Sequence, residues 1–238
     1  MTAVLRRRFL LLAFWPFTAL ILFLDSRGQG GVSATGQLVA DVITPLFLLG
    51  VMSCCAPRQK LTLALWVPIS AFGEGLFSLV FKLYAYRLGT VPFYVPFGHS
   101  ILLGTAWLMV EEPWFESRKI IFRDGLVLFH VALIAGALLL FGDTLSVLWG
   151  AIFCWAWWRK KYHPVFLVVG VLVLYVEILG TGWQCWAWRP EIYGALRTAN
   201  PPVGAFAMYI LGEVAAIRMA GRLAPVLKRK WRNSPVPV

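Results

Sequence analysis

The chain has 238 residues, of which 60% are hydrophobic and only 14% charged, and its mean hydropathy is +0.74. So few polar residues cannot cover a soluble globule, which excludes a soluble globular protein and places the chain in a bilayer. The net charge of +11 is explained by topology rather than by nucleic acid, which is not an expected partner.

Long apolar runs, rather than alternating ten-residue strands, select helices over a barrel. The expected fold class is an all-α integral membrane protein with about eight transmembrane helices, arranged as two parallel four-helix repeats. The spans centre on residues 9–24, 37–55, 61–81, 93–110, 125–141, 144–158, 165–184 and 201–219. With the amino terminus inside, the outer segments keep only Arg27, Lys82, Arg87, Arg189 and Arg197 of the 22 basic residues. That asymmetry is what the positive-inside rule requires, and it predicts a bacterial-type inner membrane with both termini cytoplasmic.

The first span follows Arg6-Arg7-Arg8 and exits through Phe23-Leu24-Asp25-Ser26-Arg27 without a small-x-small site, so it reads as an uncleaved anchor. Span two carries Asp41, whose role the sequence leaves open, and Pro45. A short basic loop, Cys54 to Lys60, leads into span three, where Glu74 sits between Gly73 and Gly75. Two glycines there loosen the helix and admit another backbone. Tyr84 and Tyr86 follow at the outer boundary, and Pro96-Phe97-Gly98-His99 opens span four.

Residues 1–112 form the first repeat, 113–124 a cytoplasmic interfacial linker, 125–220 the second repeat and 221–238 a basic cytoplasmic tail. The repeat rests on register: Cys54 to Lys60 matches Cys154 to Lys161, Glu74 matches Glu177, Tyr84 and Tyr86 match Trp186 and Trp188, and Gly98 matches Gly204. The alternative is that any helical hairpin has basic inner ends and aromatic outer ends. Cys54, Cys55 and Cys154 fall near the inner face and Cys185 stands alone toward the outer one. Neither a disulfide nor a metal site is expected, because no Cys/His spacing fits one.

Glu74 and Glu177 are the candidate catalytic acids, joined by His99. A carboxylate buried in a span is costly unless it is protonated, paired or facing a wet cavity. Two such acids brought to one space provide a proton donor and a proton acceptor. The competing reading binds them to backbone, or to Lys82 and Arg189. His99 is the histidine best placed for proton transfer, while His130 and His163 read as packing and interface residues. Tyr84, Tyr86, Trp183, Trp186 and Trp188 form either an aromatic belt or a stacking wall for an unsaturated or cationic group. Asn200, ahead of Pro201 and Pro202, is either a helix cap or a ligand contact. Glu213 is expected to pair with Arg218. Arg87, Arg189 and Arg197 read as solvated loop charge, with an anionic headgroup as the alternative partner.

The phrase Glu177-x-x-Gly180-Thr181, followed by a glycine and aromatic pair and then by prolines opening a helix, resembles a motif of polytopic carotenoid hydratases and the related membrane-bound lycopene and terpene cyclases. The likeness covers residues 177 to 204 and, less well, 74 to 99; Glu111-Glu112-Pro113 is similar to the acidic proline motif of the cyclases. It implies cofactor-free acid chemistry on a polyprenoid, with Glu177 or Glu74 protonating an alkene and aromatic rings supporting the cation. The leading expectation is thus a membrane enzyme acting on an isoprenoid or other lipid, without a cofactor. A proton-coupled carrier and a non-catalytic accessory subunit are the alternatives. The corresponding partners are membrane lipids, a hydrophobic or amphipathic small molecule and another membrane protein.

Overall fold

Apolar runs of about twenty residues with few breakers form the helices expected of them. A computed structural model describes residues 2–26, 35–158 and 164–233; Arg27, Arg159 to Lys161 and His163 lie outside the described residues. In chain order the elements are α1 (Ala3–Leu24), α2 (Thr35–Ser53), α3 (Pro57–Glu74), a π-helical continuation (Gly75–Val80), β1 (Tyr84–Tyr86), α4 (Tyr94–Val110), α5 (Pro113–Glu116), α6 (Lys119–Phe141), α7 (Thr144–Trp158), α8 (Pro164–Gly182), β2 (Trp186–Trp188), β3 (Glu191–Ile192), β4 (Leu196–Arg197), a 3₁₀ turn (Val203–Ala205) and α9 (Phe206–Asn233).

Six of these helical stretches are long and apolar enough to cross a membrane: α1, α2, α3 with its continuation, α6, α8 and α9. The chain thus has the make-up of an all-α multi-pass membrane protein. The expected spans at 93–110 and 144–158 are also apolar helices, but shorter ones. Pro57 opens α3 at a position where its missing N–H costs nothing, and the Gln59 side chain accepts from the Ala56 amide at 2.8 Å.

Two boundaries differ from the sequence expectation. Within the expected interfacial linker 113–124, α5 is a single turn and α6 begins at Lys119, ahead of the expected span start at 125, because nothing between Lys119 and Asp124 breaks a helix. The basic tail is helical through Asn233, with Pro225 inside α9; Gly221 alone does not stop a run of good helix formers.

α4 occupies the centre, packed against α2, α3 and α8, while α3 also packs along α9 and α8 against α6 and α9. α6 is peripheral and leaves Leu139, Leu140 and Phe141 bare, an apolar outer surface of the kind a bilayer covers. At the end carrying the amino terminus, Arg7 and Arg8 close on Glu112 at 3.0 and 3.2 Å, and the Arg7 guanidinium also donates to the Leu108 carbonyl at 2.6 Å. Glu112 thereby ties α1 to the end of α4 and stands apart from the residues lining the cavity described below.

At the opposite end β1 and β2 pair antiparallel, one strand from each half of the chain, with Tyr84 opposite Trp188, Ala85 opposite Ala187 and Tyr86 opposite Trp186. Strand alternation turns all four rings inward and leaves Ala85 and Ala187 exposed. The entries match as well. Lys82 (φ 54°) and Gln184 (φ 60°) each take a left-handed turn two residues before their strand. The Arg87 amide donates to the Cys185 carbonyl at 2.8 Å, and the Arg189 amide to the Leu83 carbonyl at 3.0 Å.

Candidate functional site

The paired strands form a cap over a cavity of about 300 Å³ whose lining includes Glu74, Glu177, His99, Tyr209 and the four inward rings of the cap. Ligand pockets of small molecules begin at this size and are mostly apolar with a few placed polar groups. Phe72 of α3 and Leu211 of α9 also line it, and they are 74% and 47% exposed on the apolar side of the bundle. Its lining therefore includes side chains that also belong to the outer surface of α3 and α9, while the cap covers its end.

Glu74 sits near the end of α3, 6% exposed. Its Oε2 accepts from the hydroxyls of Tyr84 and Tyr86, both at 2.6 Å, and its Oε1 lies 2.8 Å from His99 Nε2. Glu177 occupies the matching place in α8, 4% exposed; its Oε2 accepts from the indole N–H of Trp186 at 2.9 Å and of Trp188 at 3.0 Å. Strand residues two apart share a face, so the Tyr-Ala-Tyr and Trp-Ala-Trp patterns deliver paired donors to one carboxylate oxygen. Among the described residues Glu177 Oε1 receives no hydrogen bond.

The two halves differ by one residue. Ten residues separate Glu74 from Tyr84, whereas nine separate Glu177 from Trp186. The π-helical turns between Glu74 and Tyr84 accommodate the extra residue, which is what a π segment does inside an α-helix. The glycines flanking Glu74 thus admit no neighbouring backbone: a Cβ at Gly73 or Gly75 meets nothing within 4 Å. Gly180 has a different job, since a Cβ there would lie 2.0 Å from the Trp186 ring. The Glu-x-x-Gly spacing makes room for the indole that holds the acid one turn earlier.

His99 is held face to face on Tyr209, with ring centroids 4.4 Å apart and planes 11° apart, and edge-on to Trp66 at 5.8 Å. Its Nδ1 is buried and has no partner among the described residues. The chemistry available is that of two carboxylates facing one apolar space, one fitted with a histidine that carries a proton on either nitrogen. Neither acid pairs with Lys82 or Arg189. Among the described residues no cluster of three His, Cys, Asp or Glu side chains gathers as a metal site.

Three sequence-selected residues stand elsewhere. Trp183 packs edge-on against Phe23 at 5.9 Å and is not part of the lining. Asn200 does not line the cavity either; its Oδ1 accepts from the Trp188 amide at 3.1 Å and so fixes β2 from behind. Glu213 does not pair with Arg218, because five residues turn an α-helix by about 140° and put the two side chains on different faces. Glu213 is fully buried, and neither oxygen has a hydrogen-bond partner among the described residues.

The cap is fastened by groups the sequence reading did not assign to it. Arg87, read there as solvated loop charge, is buried: its guanidinium meets Asp25 Oδ1 at 2.9 Å and the Asp25 carbonyl at 2.8 Å. The Tyr94 hydroxyl donates to Asp25 Oδ2 at 2.8 Å, and Asp41, left open by the sequence, accepts the Tyr94 amide at 2.7 Å where α4 begins. Burial lifts the Asp25 carboxyl above the usual range, against the pull of Arg87 and Tyr94. Burial likewise pushes the Cys185 thiol up to about 12; it donates to the Leu22 carbonyl at 3.2 Å. A signal for Tyr209 was present as a lone phenol four residues before Glu213 in an apolar run; nothing local marked Asp25, whose partner is 62 residues away.

Compared with known proteins, the chain matches no family model, no curated protein and no solved structure.

Proposed function

We propose that the chain is an intramembrane enzyme that carries out cofactor-free acid/base chemistry on an isoprenoid or other lipid, in a multi-pass fold of eight spans made of two four-helix units with both termini on the cytoplasmic side. The observation that carries this reading is the convergence of Glu74 and Glu177 on one cavity whose lining includes the exposed apolar Phe72 and Leu211 and which is covered at its end by an aromatic cap. A substrate entering beside Phe72 and Leu211 comes from lipid without crossing water. The matched turns, strands and acid-donor sets in the two halves support a duplicated unit.

In this reading Glu177 is the acid. Its Oε2 is saturated by two donors that cannot accept, so Oε1 is the atom that carries and delivers a proton. Glu74 is the acceptor, since three donors converge on it and support the charged form that takes up a proton. Protonation of an alkene carbon breaks the Glu177 O–H bond and forms a C–H bond; the aromatic faces of Tyr84, Tyr86, Trp186 and Trp188 stabilise the resulting positive charge. Loss of a neighbouring proton to Glu74, or addition of water with its proton passing to Glu74, completes the step. Such a hydratase-like or cyclase-like outcome is consistent with the resemblance around Glu177.

The test uses purified protein in nanodiscs containing the total lipid extract of its host, incubated in D₂O. The wild type is expected to place deuterium on carbon of one lipid species, and Glu74→Gln with Glu177→Gln to place none. Equal incorporation by both, or by neither, overturns the proposal; uptake into vesicles driven by a pH gradient would replace it with the carrier reading.

A further inference from the structure

Glu213 is the feature that the acid/base scheme leaves unused. Its side chain lies wholly inside the bundle, and no donor or cation reaches either oxygen among the described residues. A lone buried carboxylate is costly and calls for a reason. Three contacts fix where it stands. Tyr209, one helical turn earlier on the same face of α9, stacks on His99 at 4.4 Å. Trp66 of α3 touches both neighbours: its ring lies edge-on to His99 at 5.8 Å, and it presses on α9 so closely that a Cβ at Gly212 would be 2.3 Å away. Trp66 Nε1 and His99 Nδ1 are themselves buried without partners. Three side chains with unpartnered buried polar atoms, on α3, α4 and α9, thus belong to one packed region around Trp66.

We infer that Glu213 is a proton store for the Glu74–His99 pair, a third working carboxyl that never touches substrate. A proton leaving Glu213 bonds to His99 Nδ1; the proton on Nε2 then passes across 2.8 Å to Glu74 Oε1, and the reverse sequence refills Glu213. Glu213 stands one helical turn, roughly 5 Å along the axis, from Tyr209, whose ring stacks on His99, and bridging water would join the carboxyl to the imidazole. The titratable groups facing this seam are Glu74 from α3, His99 from α4, Glu177 from α8 and Tyr209 from α9; Arg218 points to another face. Since Glu213 is sealed from the surface, its exchange with solvent runs through His99 and the cavity. The inference rests on the proposed acid/base role of the site, but it is tested without any substrate.

The probe is the deuteron itself, followed by infrared spectroscopy of the carboxyl C=O band in nanodisc-embedded protein after transfer to D₂O. The expected result has three parts: a buried carboxyl band absent from Glu213→Gln, a deuterium shift of that band in the wild type, and a shift at least tenfold slower in His99→Gln. Where the Gln variant does not purify, Glu213→Asp identifies the band by moving it. A band unaffected by either Glu213 substitution, or an exchange rate equal in wild type and His99→Gln, overturns the inference. Failure of lipid deuteration leaves this readout intact, so the two proposals fall separately.

Discussion

Glu74 and Glu177 occupy equivalent places in the two halves and receive chemically different donors. Two phenols and an imidazole hold the first; two indoles hold the second. Phenols and imidazole both donate and accept, so the Glu74 side can move a proton, whereas an indole only donates and can only hold a carboxylate still. Equivalent backbones have thus been fitted with unequal chemistry. In the proposed scheme this asymmetry, more than the burial of the acids, is the reason one of them accepts and the other delivers.

The comparison breaks most visibly in activity. Glu177→Gln is expected to lower lipid turnover at least 100-fold, because no other group offers a proton at that oxygen. His99→Gln should retain more activity, since Glu74 keeps both phenols; a pH profile that changes shape in His99→Gln but not in Tyr84→Phe separates proton movement from support. Next in size is the cap fastening. Arg87→Met leaves Asp25 buried without its cation, a loss of about 3–5 kcal/mol, and should expose Cys185. Maleimide labelling of Cys185, in a background lacking Cys54, Cys55 and Cys154, is expected to be slow in the otherwise wild-type protein and fast in Arg87→Met.

Smaller effects sharpen the comparison of the donors. Tyr84→Phe or Tyr86→Phe removes one hydrogen bond to a charged group and is expected to cost about 1.5–3 kcal/mol in thermal unfolding. Gly180→Ala drives a methyl into Trp186 and should cost about 1–3 kcal/mol, whereas Gly73→Ala meets open space and should be neutral or stabilising by up to about 1 kcal/mol. Equal costs at Gly180 and Gly73 would contradict the different jobs assigned to these glycines.

Much of this arrangement was legible in the sequence because it is local. In each half the acid and its Tyr-Ala-Tyr or Trp-Ala-Trp boundary pair lie within a dozen residues of one another, and in the second half the glycine one turn after Glu177 lies there too. That proximity also carried the register between the halves. What was not legible is what long-range packing decides. Arg87 looked like a solvated loop cation until Asp25 was brought beside it, and Asn200, readable as a helix cap or as a ligand contact, holds the Trp188 amide of β2. Glu213 was given to Arg218 by sequence proximity, although helix geometry separates them. The π-helical turns after Glu74 have no composition signal either; only the change from ten residues to nine betrays them.

The most direct test of the central claim, that Glu74 and Glu177 face one cavity and act on the molecule inside it, is mass spectrometry of the lipid retained by purified protein. The wild type should hold a product or a mixture, and the variant carrying both Glu74→Gln and Glu177→Gln should hold the unreacted precursor, differing by the elements of water or by isomerisation. The same retained species in both proteins would contradict the account.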